Sequence, residues 1–435
     1  MNEVNWPFTG RGTLRINRAE GVYLYSDSGQ AILDAAGGAI VANIGHGRER
    51  VVARVAAATR DYTYVVPPWV TPSRAALVDA LEAHWLPPEL TRIHVTSGGS
   101  EAVESGVKLA LQYHAALGAG ERCLIIAREP SYHGTTLATA ALSGHPARKR
   151  GLEGALQRYP VTAAPYPLRC PLGRDHPDMG AYYADALRTT LETAGPENVA
   201  ALLAEPITGS SGGAIVPPDD YWPRVRAICD DYGILLILDE VMTGFGRTGR
   251  NFGYQHWDIT PDILVSGKGL AGGYAPLGGV FATDAVASTI EDAGLNVMFH
   301  TFGAHPAACA AAAEVLTILQ EENLVERARI MGDELQQRLL DAFRDHPHVA
   351  DVRGRGLLQA IEIVRDRDSL EPYEESANIT SRVVGAGLKK GVFFYGGGTG
   401  SVRDIICMGP PFIIESAHID TMVGVLREAV DQVCQ

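Results

Sequence analysis

The sequence contains little cysteine, with six thiols spread over 435 residues. None belongs to a Cys-x-x-Cys pair, so neither a zinc ribbon nor a dithiol redox site is supported. Such sparse use of cysteine is typical of a protein in a reducing compartment. The start of the chain, Met1 to Phe8, has no basic cluster and no apolar segment, which predicts no secretory signal. We therefore expect a cytoplasmic protein.

The sequence also lacks an excess of basic charge and a long apolar segment. It carries 37 Lys and Arg against 51 Asp and Glu, a formal net charge of −14. A nucleic acid or an anionic membrane surface would require a basic face, so we predict neither as a partner. The most apolar stretch, residues 306–319, is too short to cross a bilayer. None of the histidines shows the spacing of a metal site, and we predict no metal.

Apolar runs alternate with helical patterns through the middle of the chain. We predict strands at 93–96, 123–127, 199–204, 234–238, 263–265 and 279–282, and helices at 100–117, 135–142, 182–192 and 221–232. Such alternation predicts an α/β fold, with a mostly parallel sheet covered on both faces. The pattern changes after a predicted helix at 308–320. We therefore predict an N-terminal segment (1–60) packing with the small domain, a large domain (61–322) and a small C-terminal α+β domain (323–435).

Polar and glycine-rich segments follow five of these apolar runs. They are Ser97-Gly-Gly-Ser100, Ser131-Tyr-His-Gly134, Glu205-Pro206, Asp239-Glu240 and Gly267-Lys268-Gly269. In an open α/β sheet, ligands bind beyond the carboxyl ends of the strands. Five coincidences of this kind predict that the segments form one site.

Asp239 and Lys268 present opposite electrostatic problems. A carboxylate that ends a run as apolar as Ile-Leu-Leu-Ile-Leu is expected to be buried, and a buried carboxylate needs a cation or several donors. A desolvated lysine readily loses its proton, and the neutral amine attacks carbonyl carbons. The two side chains could pair with each other or with separate partners. Pyridoxal phosphate satisfies both, because its aldehyde condenses with a lysine and its protonated ring nitrogen pairs with a carboxylate.

This cofactor also needs a phosphate site and a flat surface for its ring. The Ser97-Gly-Gly-Ser100 turn opens a predicted helix, whose first N–H groups and positive dipole end favour a phosphate. The alternative interpretation of that turn is an ordinary helix N-cap. Tyr132 is placed to cover the ring, although an aromatic side chain in that position could equally belong to the core.

Several segments together resemble the class III pyridoxal-phosphate aminotransferases. The matching segments are Ser97–Glu104, Ser131–Gly134, Glu205–Ile207, Leu238–Gly249, Ser266–Leu270, His300–Pro306 and Pro410-Pro411, with Asn43–Gly47 similar to an N-terminal signature. They occur in the family's order and span about 21–411. The resemblance implies the type I aminotransferase fold, and a homodimer or a tetramer with shared active sites.

The resemblance also implies roles for individual residues. Lys268 would form the Schiff base with the cofactor and then move the substrate proton, while Asp239 would hold the ring nitrogen. Val241 and Tyr132 would cover the two faces of the ring. The backbone N–H groups of Gly99 and Ser100 would bind the phosphate, and Thr301 would reach the phosphate of the partner subunit's site. Glu205 would be an acid near Asp239, and His133 an orienting group near Tyr132.

Three positions depart from the ornithine and 4-aminobutyrate members of the family. Cys407 stands where those enzymes have a carboxylate-binding arginine, Ser210 where they have its glutamate partner, and Met242 where they have a glutamine. An enzyme dedicated to α-ketoglutarate is therefore disfavoured. The chain is more similar to the branch that transfers amino groups from amines and ω-amino acids to pyruvate.

In that branch a mobile arginine grips the keto-acid carboxylate, and Arg403 is our candidate for this role. The alternative is that Arg403 is a solvated loop residue. Tyr64 and Trp69 are candidates for the substrate pocket, with core packing as the alternative. The motifs also leave open a pyridoxal-phosphate racemase, epimerase or decarboxylase on the same scaffold. A binding protein that has lost activity is disfavoured, because it would have no reason to keep both Lys268 and Asp239.

Overall fold

A computed structural model of the chain describes residues 14–295 and 298–434. The first residues, on which the absence of a secretory signal was predicted, lie outside these ranges. In chain order the strands are β1 (Ile16–Glu20), β2 (Tyr23–Ser26), β3 (Ala31–Asp34), β4 (Arg92–Thr96), β5 (Leu124–Glu129), β6 (Val161–Ala163), β7 (Val199–Ala204), β8 (Leu235–Asp239), β9 (Ile263–Ser266), β10 (Gly278–Ala282), β11 (Val349–Arg355), β12 (Leu358–Ile363), β13 (Val392–Phe393), β14 (Tyr395–Thr399) and β15 (Val402–Met408).

The helices account for most of the remaining regular structure. They are α1 (Gly37–Ile40), α2 (Glu49–Asp61), α3 (Pro72–Ala80), α4 (Gly99–Ala116), α5 (Leu137–Leu142), α6 (Pro146–Lys149), α7 (Met179–Ala194), α8 (Tyr221–Tyr232), α9 (Asp284–Asp292), α10 (Pro306–Glu321), α11 (Leu324–Phe343), α12 (Ile379–Lys389) and α13 (Ser416–Val433). In the described part of the chain, no helix has the length and apolarity needed to cross a membrane.

A seven-stranded sheet in the order β4-β10-β9-β8-β7-β5-β6 forms the centre of the molecule. Its neighbours are parallel except at β10, which runs antiparallel to both β4 and β9. Alternate residues of β7 join separate buried clusters on the two faces, Ala201 and Leu203 on one and Leu202 and Ala204 on the other. The predicted α/β fold with a mostly parallel, doubly covered sheet is confirmed.

Two smaller, four-stranded sheets lie outside the central one. The first has the order β1-β2-β3-β13, so N-terminal strands pair with a strand from the C-terminal part. The second has the order β11-β12-β15-β14 and packs with α11 and α12, which in turn pack with α13. Helix α2, however, packs against α10. The N-terminal segment therefore contacts both parts of the molecule, and not only the C-terminal part with which it was predicted to pack.

The sheet topology brings the five polar segments to one edge. Strands β5, β7, β8 and β9 are adjacent and parallel, and two successive antiparallel pairings give β4 the same direction as β9. All five strands consequently end on the same side of the sheet, where a doubly wound fold binds its ligands.

Candidate active site

One cavity of about 200 Å³ lies at this edge, and the predicted segments form its walls. Residues predicted from the sequence that line it are Gly99, Ser100, Tyr132, His133, Glu205, Asp239, Val241 and Lys268. Ser210 and Met242, two of the positions that depart from the ornithine-type enzymes, line it as well. The structure thus brings together every predicted cofactor residue except Thr301.

Asp239 ends β8 with its carboxylate buried and bonded on both oxygens. His133 Nδ1 lies 2.7 Å from Oδ2, and the Val241 N–H donates to Oδ1 over 3.0 Å. A buried carboxylate with two partners is held in one orientation. Within the described residues, Nε2 of His133 is buried without a partner. His133 was predicted to be an orienting group near Tyr132, and the side chain that its ring contacts is Asp239.

Lys268 follows β9 in an unusual backbone conformation. Its φ of 35° lies in the left-handed region, which residues with a side chain seldom adopt without a compensating reason. Its side chain is surrounded by protein atoms but remains partly open to the cavity. Burial lowers the pKa of the amine to about 8, against opposing effects of Asp239 and Glu205. The ion pairs of the described residues do not include one between Lys268 and Asp239, so these two groups do not simply neutralise each other.

The first turn of α4 provides a cradle for an anion. Its first intrahelical bond runs from the Ala102 N–H to the Gly98 carbonyl, so the N–H groups of Gly99 and Ser100 precede the helical ladder. A Cβ on Gly99 would approach Val241 to 3.2 Å, closer than side chains normally pack. Glycine at this position therefore lets the backbone lie directly against the cavity.

Glu205 is a second buried acid on the cavity wall. Its Oε1 accepts from the Gly209 N–H over 2.9 Å, and its backbone carbonyl accepts from Arg128. Burial raises the pKa of this carboxyl, and the nearby Asp239 raises it further, against a lowering effect of His133.

These residues fit pyridoxal phosphate. Lys268 is an amine of lowered pKa, Asp239 is a fixed carboxylate for a ring N–H, and the start of α4 supplies donors for a phosphate. Tyr132 and Val241 provide a ring surface and a branched side chain on the cavity wall. The groups on the cavity wall are thus of the kinds that this cofactor uses.

Three predicted residues lie on an exposed surface of the chain and not in its own cavity. Tyr64 and Trp69 are 41% and 69% exposed, which excludes core packing. Thr301 is also exposed, next to Phe302, whose ring centroid lies 6.3 Å from that of Tyr64. The structure therefore groups Thr301 with Tyr64 near the groove that Trp69 lines.

Arg403 does not reach the cavity. Its Nη2 and Nε donate to the Tyr373 carbonyl at 2.7 and 3.2 Å, so two of its donors are already used. The described structure thus does not place it as the predicted carboxylate-binding residue. Sequence reasoning missed a different cation, Arg148, whose guanidinium carbon lies 4.9 Å from the ring centroid of Tyr132. Only the juxtaposition of α6 with the Tyr132 loop reveals it.

Comparisons with known proteins agree with this geometry. Residues 9–430 match the family model described as aminotransferase class-III. The chain is 36% identical over 420 residues to a taurine–pyruvate aminotransferase of Rhodobacter capsulatus, covering 94% of this chain and 90% of the relative. It is 33% identical over 428 residues to a putrescine–pyruvate aminotransferase of Pseudomonas aeruginosa, covering 97% and 91%. It also superposes on the omega transaminase of Pseudomonas jessenii, solved in complex with PMP, with a TM-score of 0.91, 32% identity and coverage of 98% and 95%.

Proposed function

The chain belongs to the class-III aminotransferases, which depend on pyridoxal phosphate, and we propose that it moves an amino group from an amine or ω-amino acid to pyruvate. The observation that carries this proposal is the cavity in which Lys268 and Asp239 face the start of α4. Ser210 and Met242 on its wall, and Cys407 buried in β15, argue against the ornithine-type carboxylate site. Relatives named for taurine–pyruvate and putrescine–pyruvate transfer support the same donor and acceptor classes.

We assign the binding of the cofactor to residues that already share the cavity. Asp239, oriented by His133, would accept a hydrogen bond from the protonated ring nitrogen of the cofactor. The N–H groups of Gly99 and Ser100 would donate hydrogen bonds to its phosphate. Tyr132 and Val241, both on the cavity wall, would cover the two faces of the ring. Bound in this way, pyridoxal phosphate supplies an aldehyde that accepts an amino group and a ring that withdraws electrons from the reacting carbon.

Lys268 has two tasks in this scheme. With the cofactor bound, its amine would hold the aldehyde covalently in the resting enzyme. Once a substrate amine had taken that place, Nζ would be the base that removes the proton from the amine-bearing carbon and the acid that returns it. A pKa of about 8 suits both tasks, because a general base works best when its pKa lies near the working pH.

A homodimer explains where the remaining predicted residues act. Trp69, Val70 and Phe299 are exposed apolar side chains in one groove, and Phe302 and Tyr64 lie beside Thr301. An exposed apolar patch of this kind is typical of a subunit interface. In the proposed dimer Thr301 reaches the phosphate of the partner subunit's site. The six free thiols are consistent with a cytoplasmic location.

The absorption spectrum of the bound cofactor tests the proposed reaction. An amine donor without acceptor should convert the aldehyde form of the cofactor to its amine form, and pyruvate should reverse the change. Taurine, putrescine and a set of other amines form the donor panel. Omission of donor is the control. No conversion with any donor would refute the proposal, and loss of donor chirality or release of carbon dioxide without keto acid would favour a racemase or decarboxylase.

A further inference from the structure

Three residues that the proposed dimer places at the subunit interface lie on two irregular segments. Tyr64 and Trp69 belong to the connection between α2 and α3, and Thr301 belongs to a turn that precedes α10. An irregular segment has no ladder of backbone hydrogen bonds, so its position depends on the side chains that bond its carbonyls. A residue that bonds both segments therefore controls how these three side chains are presented.

Arg74, in the first turn of α3, bonds both segments. Its Nη2 donates to the Val65 carbonyl over 2.6 Å, and its Nη1 donates to the Val66 carbonyl over 2.9 Å and also to the Trp69 carbonyl. Its Nε donates to the Ala304 carbonyl over 2.7 Å, at the end of the turn that precedes α10. One guanidinium group thus joins two segments that are far apart in the chain.

The bonding of Arg74 assigns it to the backbone and not to a substrate. The side chain is buried, and the ion pairs of the described residues do not include it. Four carbonyl oxygens accept from donors on all three of its nitrogens. A planar guanidinium can bond four acceptors at once, whereas the ammonium group of a lysine has only three donors. Arg74 therefore holds these carbonyls through its shape as well as its charge.

The turn that carries Thr301 depends on such contacts. Ala304 has a φ of 51°, in the left-handed region, which a residue with a side chain keeps only where its surroundings enforce it. The bond from Arg74 is made to the carbonyl of this residue. At the other end of the turn, His300 Nδ1 lies 3.2 Å from His94 Nε2 on β4. Thr301 is thus presented from a turn that is held on both sides.

We propose that Arg74 is a positioning residue for the partner subunit's active site. It holds the Thr301 turn against the 65–69 segment, so that Thr301 meets the cofactor phosphate in the proposed dimer. The same bonds keep Tyr64 and Trp69 in a fixed place beside that turn. The inference rests on the proposed function and names the residue that organises this side of the site. Without the guanidinium, four backbone carbonyls lose a charge-assisted donor.

The test compares the affinity of the full chain for pyridoxal phosphate and for pyridoxal, which lacks the phosphate, by equilibrium dialysis. In Arg74→Gln we expect the Kd of pyridoxal phosphate to rise about 10-fold or more, as expected when hydrogen bonds to a charged group are lost, and the Kd of pyridoxal to change about twofold at most. Arg74→Lys keeps the buried charge but has fewer donors, so its Kd for pyridoxal phosphate should lie between the other two. It carries the same comparison if Arg74→Gln is too unstable to assay.

Arg122→Gln is the matched control. Arg122 also donates from its guanidinium to backbone carbonyls, those of Val199 over 2.8 Å and Tyr232 over 3.3 Å. Val199 begins β7, so these contacts lie at the edge of the sheet opposite to the cavity. The substitution should leave the ratio of the two dissociation constants at its wild-type value.

A double-mutant cycle with Thr301→Ala tests whether Arg74 acts through Thr301. Thr301→Ala alone should weaken the binding of pyridoxal phosphate. Because the contact that Arg74 positions is then already absent, adding Arg74→Gln should weaken it further by about twofold at most. An equal loss on adding Arg74→Gln to the wild type and to Thr301→Ala would overturn the proposal, since Arg74 would then act by another route.

The outcomes separate this proposal from the proposed function. If the wild-type enzyme binds pyridoxal phosphate and transfers amino groups, but both Arg74 variants keep its ratio of dissociation constants, Arg74 does not position the phosphate contact. The same conclusion follows if Thr301→Ala leaves the affinity for pyridoxal phosphate unchanged. If the wild-type enzyme does not bind the cofactor, or transfers no amino group from any donor, the proposed function itself fails.

Discussion

The lowered pKa of Lys268 gives a quantitative prediction for the protein freed of its cofactor. With a pKa of about 8 in place of 10.5, roughly a quarter of the amine is neutral at pH 7.5, compared with about one part in a thousand for an ordinary lysine. The fraction of neutral amine available to an electrophile is therefore roughly 200 times that of an unperturbed lysine. Burial causes the shift, and Asp239 and Glu205 partly oppose it.

Competitive labelling measures this pKa directly. The apoprotein is treated with trace acetic anhydride from pH 6 to 11, and the Lys268 peptide is quantified by mass spectrometry against a lysine model peptide in the same tube. Labelling should rise with a midpoint near pH 8. Because Asp239 raises the pKa, Asp239→Asn should move the midpoint to lower pH; Arg148→Gln, which removes a lowering charge, should move it upward.

The sign of these shifts is what makes the experiment decisive. A midpoint near 10.5 in the wild-type apoprotein would mean that the amine is solvated and that the cavity does not activate it. An upward shift in Asp239→Asn would mean that the carboxylate does not act on Lys268 through the cavity. Either result would refute the electrostatic reasoning, whatever the activity of the loaded enzyme.

Three further predictions address orientation, packing and assembly. His133→Phe removes the 2.7 Å contact to Asp239, so it should weaken the binding of pyridoxal phosphate about 10-fold or more in equilibrium dialysis. An unchanged affinity would contradict the role of His133. Gly332→Ala would place a Cβ against the facing backbone and should lower the free energy of unfolding, measured by urea titration, by about 1–3 kcal/mol. Gly385→Ala, at a position on α12 with open space around it, is the control and should leave that free energy unchanged or raise it. Phe302→Glu should shift the sedimentation of the protein from the proposed dimer toward monomer, and a wild-type profile would exclude this surface from the interface.

The large sheet and its site were accessible to sequence reasoning for a simple physical reason. Strands such as β7 and β8 are buried on both faces, so they form continuous apolar runs that end abruptly at a polar residue. Asp239 and Lys268 stand out because each follows such a run. The rule that parallel strands end together then places them at one edge without further information.

Other features depend on contacts that no local pattern encodes. The hydrogen bond between His133 and Asp239 requires that β5, β7 and β8 be neighbours in the sheet. Local sequence patterns do not predict the order of strands in a sheet. Strand β6 has three residues, two of them exposed, so it shows no apolar run. Arg403 donates a hydrogen bond to the Tyr373 carbonyl, thirty residues away in the chain. The glycine-rich sequence around Arg403 gives no indication of this contact. The sequence therefore predicted which residues meet at the cavity better than how they are held there.

The covalent link to the cofactor is the most direct test of the central claim, that Lys268 and Asp239 act on the same ring in one cavity. The holoenzyme is reduced with borohydride, digested, and mapped by mass spectrometry. We predict a single pyridoxyl adduct, on the peptide that contains Lys268, which is lost in Lys268→Ala although that variant still binds the cofactor. An adduct on another lysine, or an unmodified Lys268 in cofactor-loaded protein, would contradict the account.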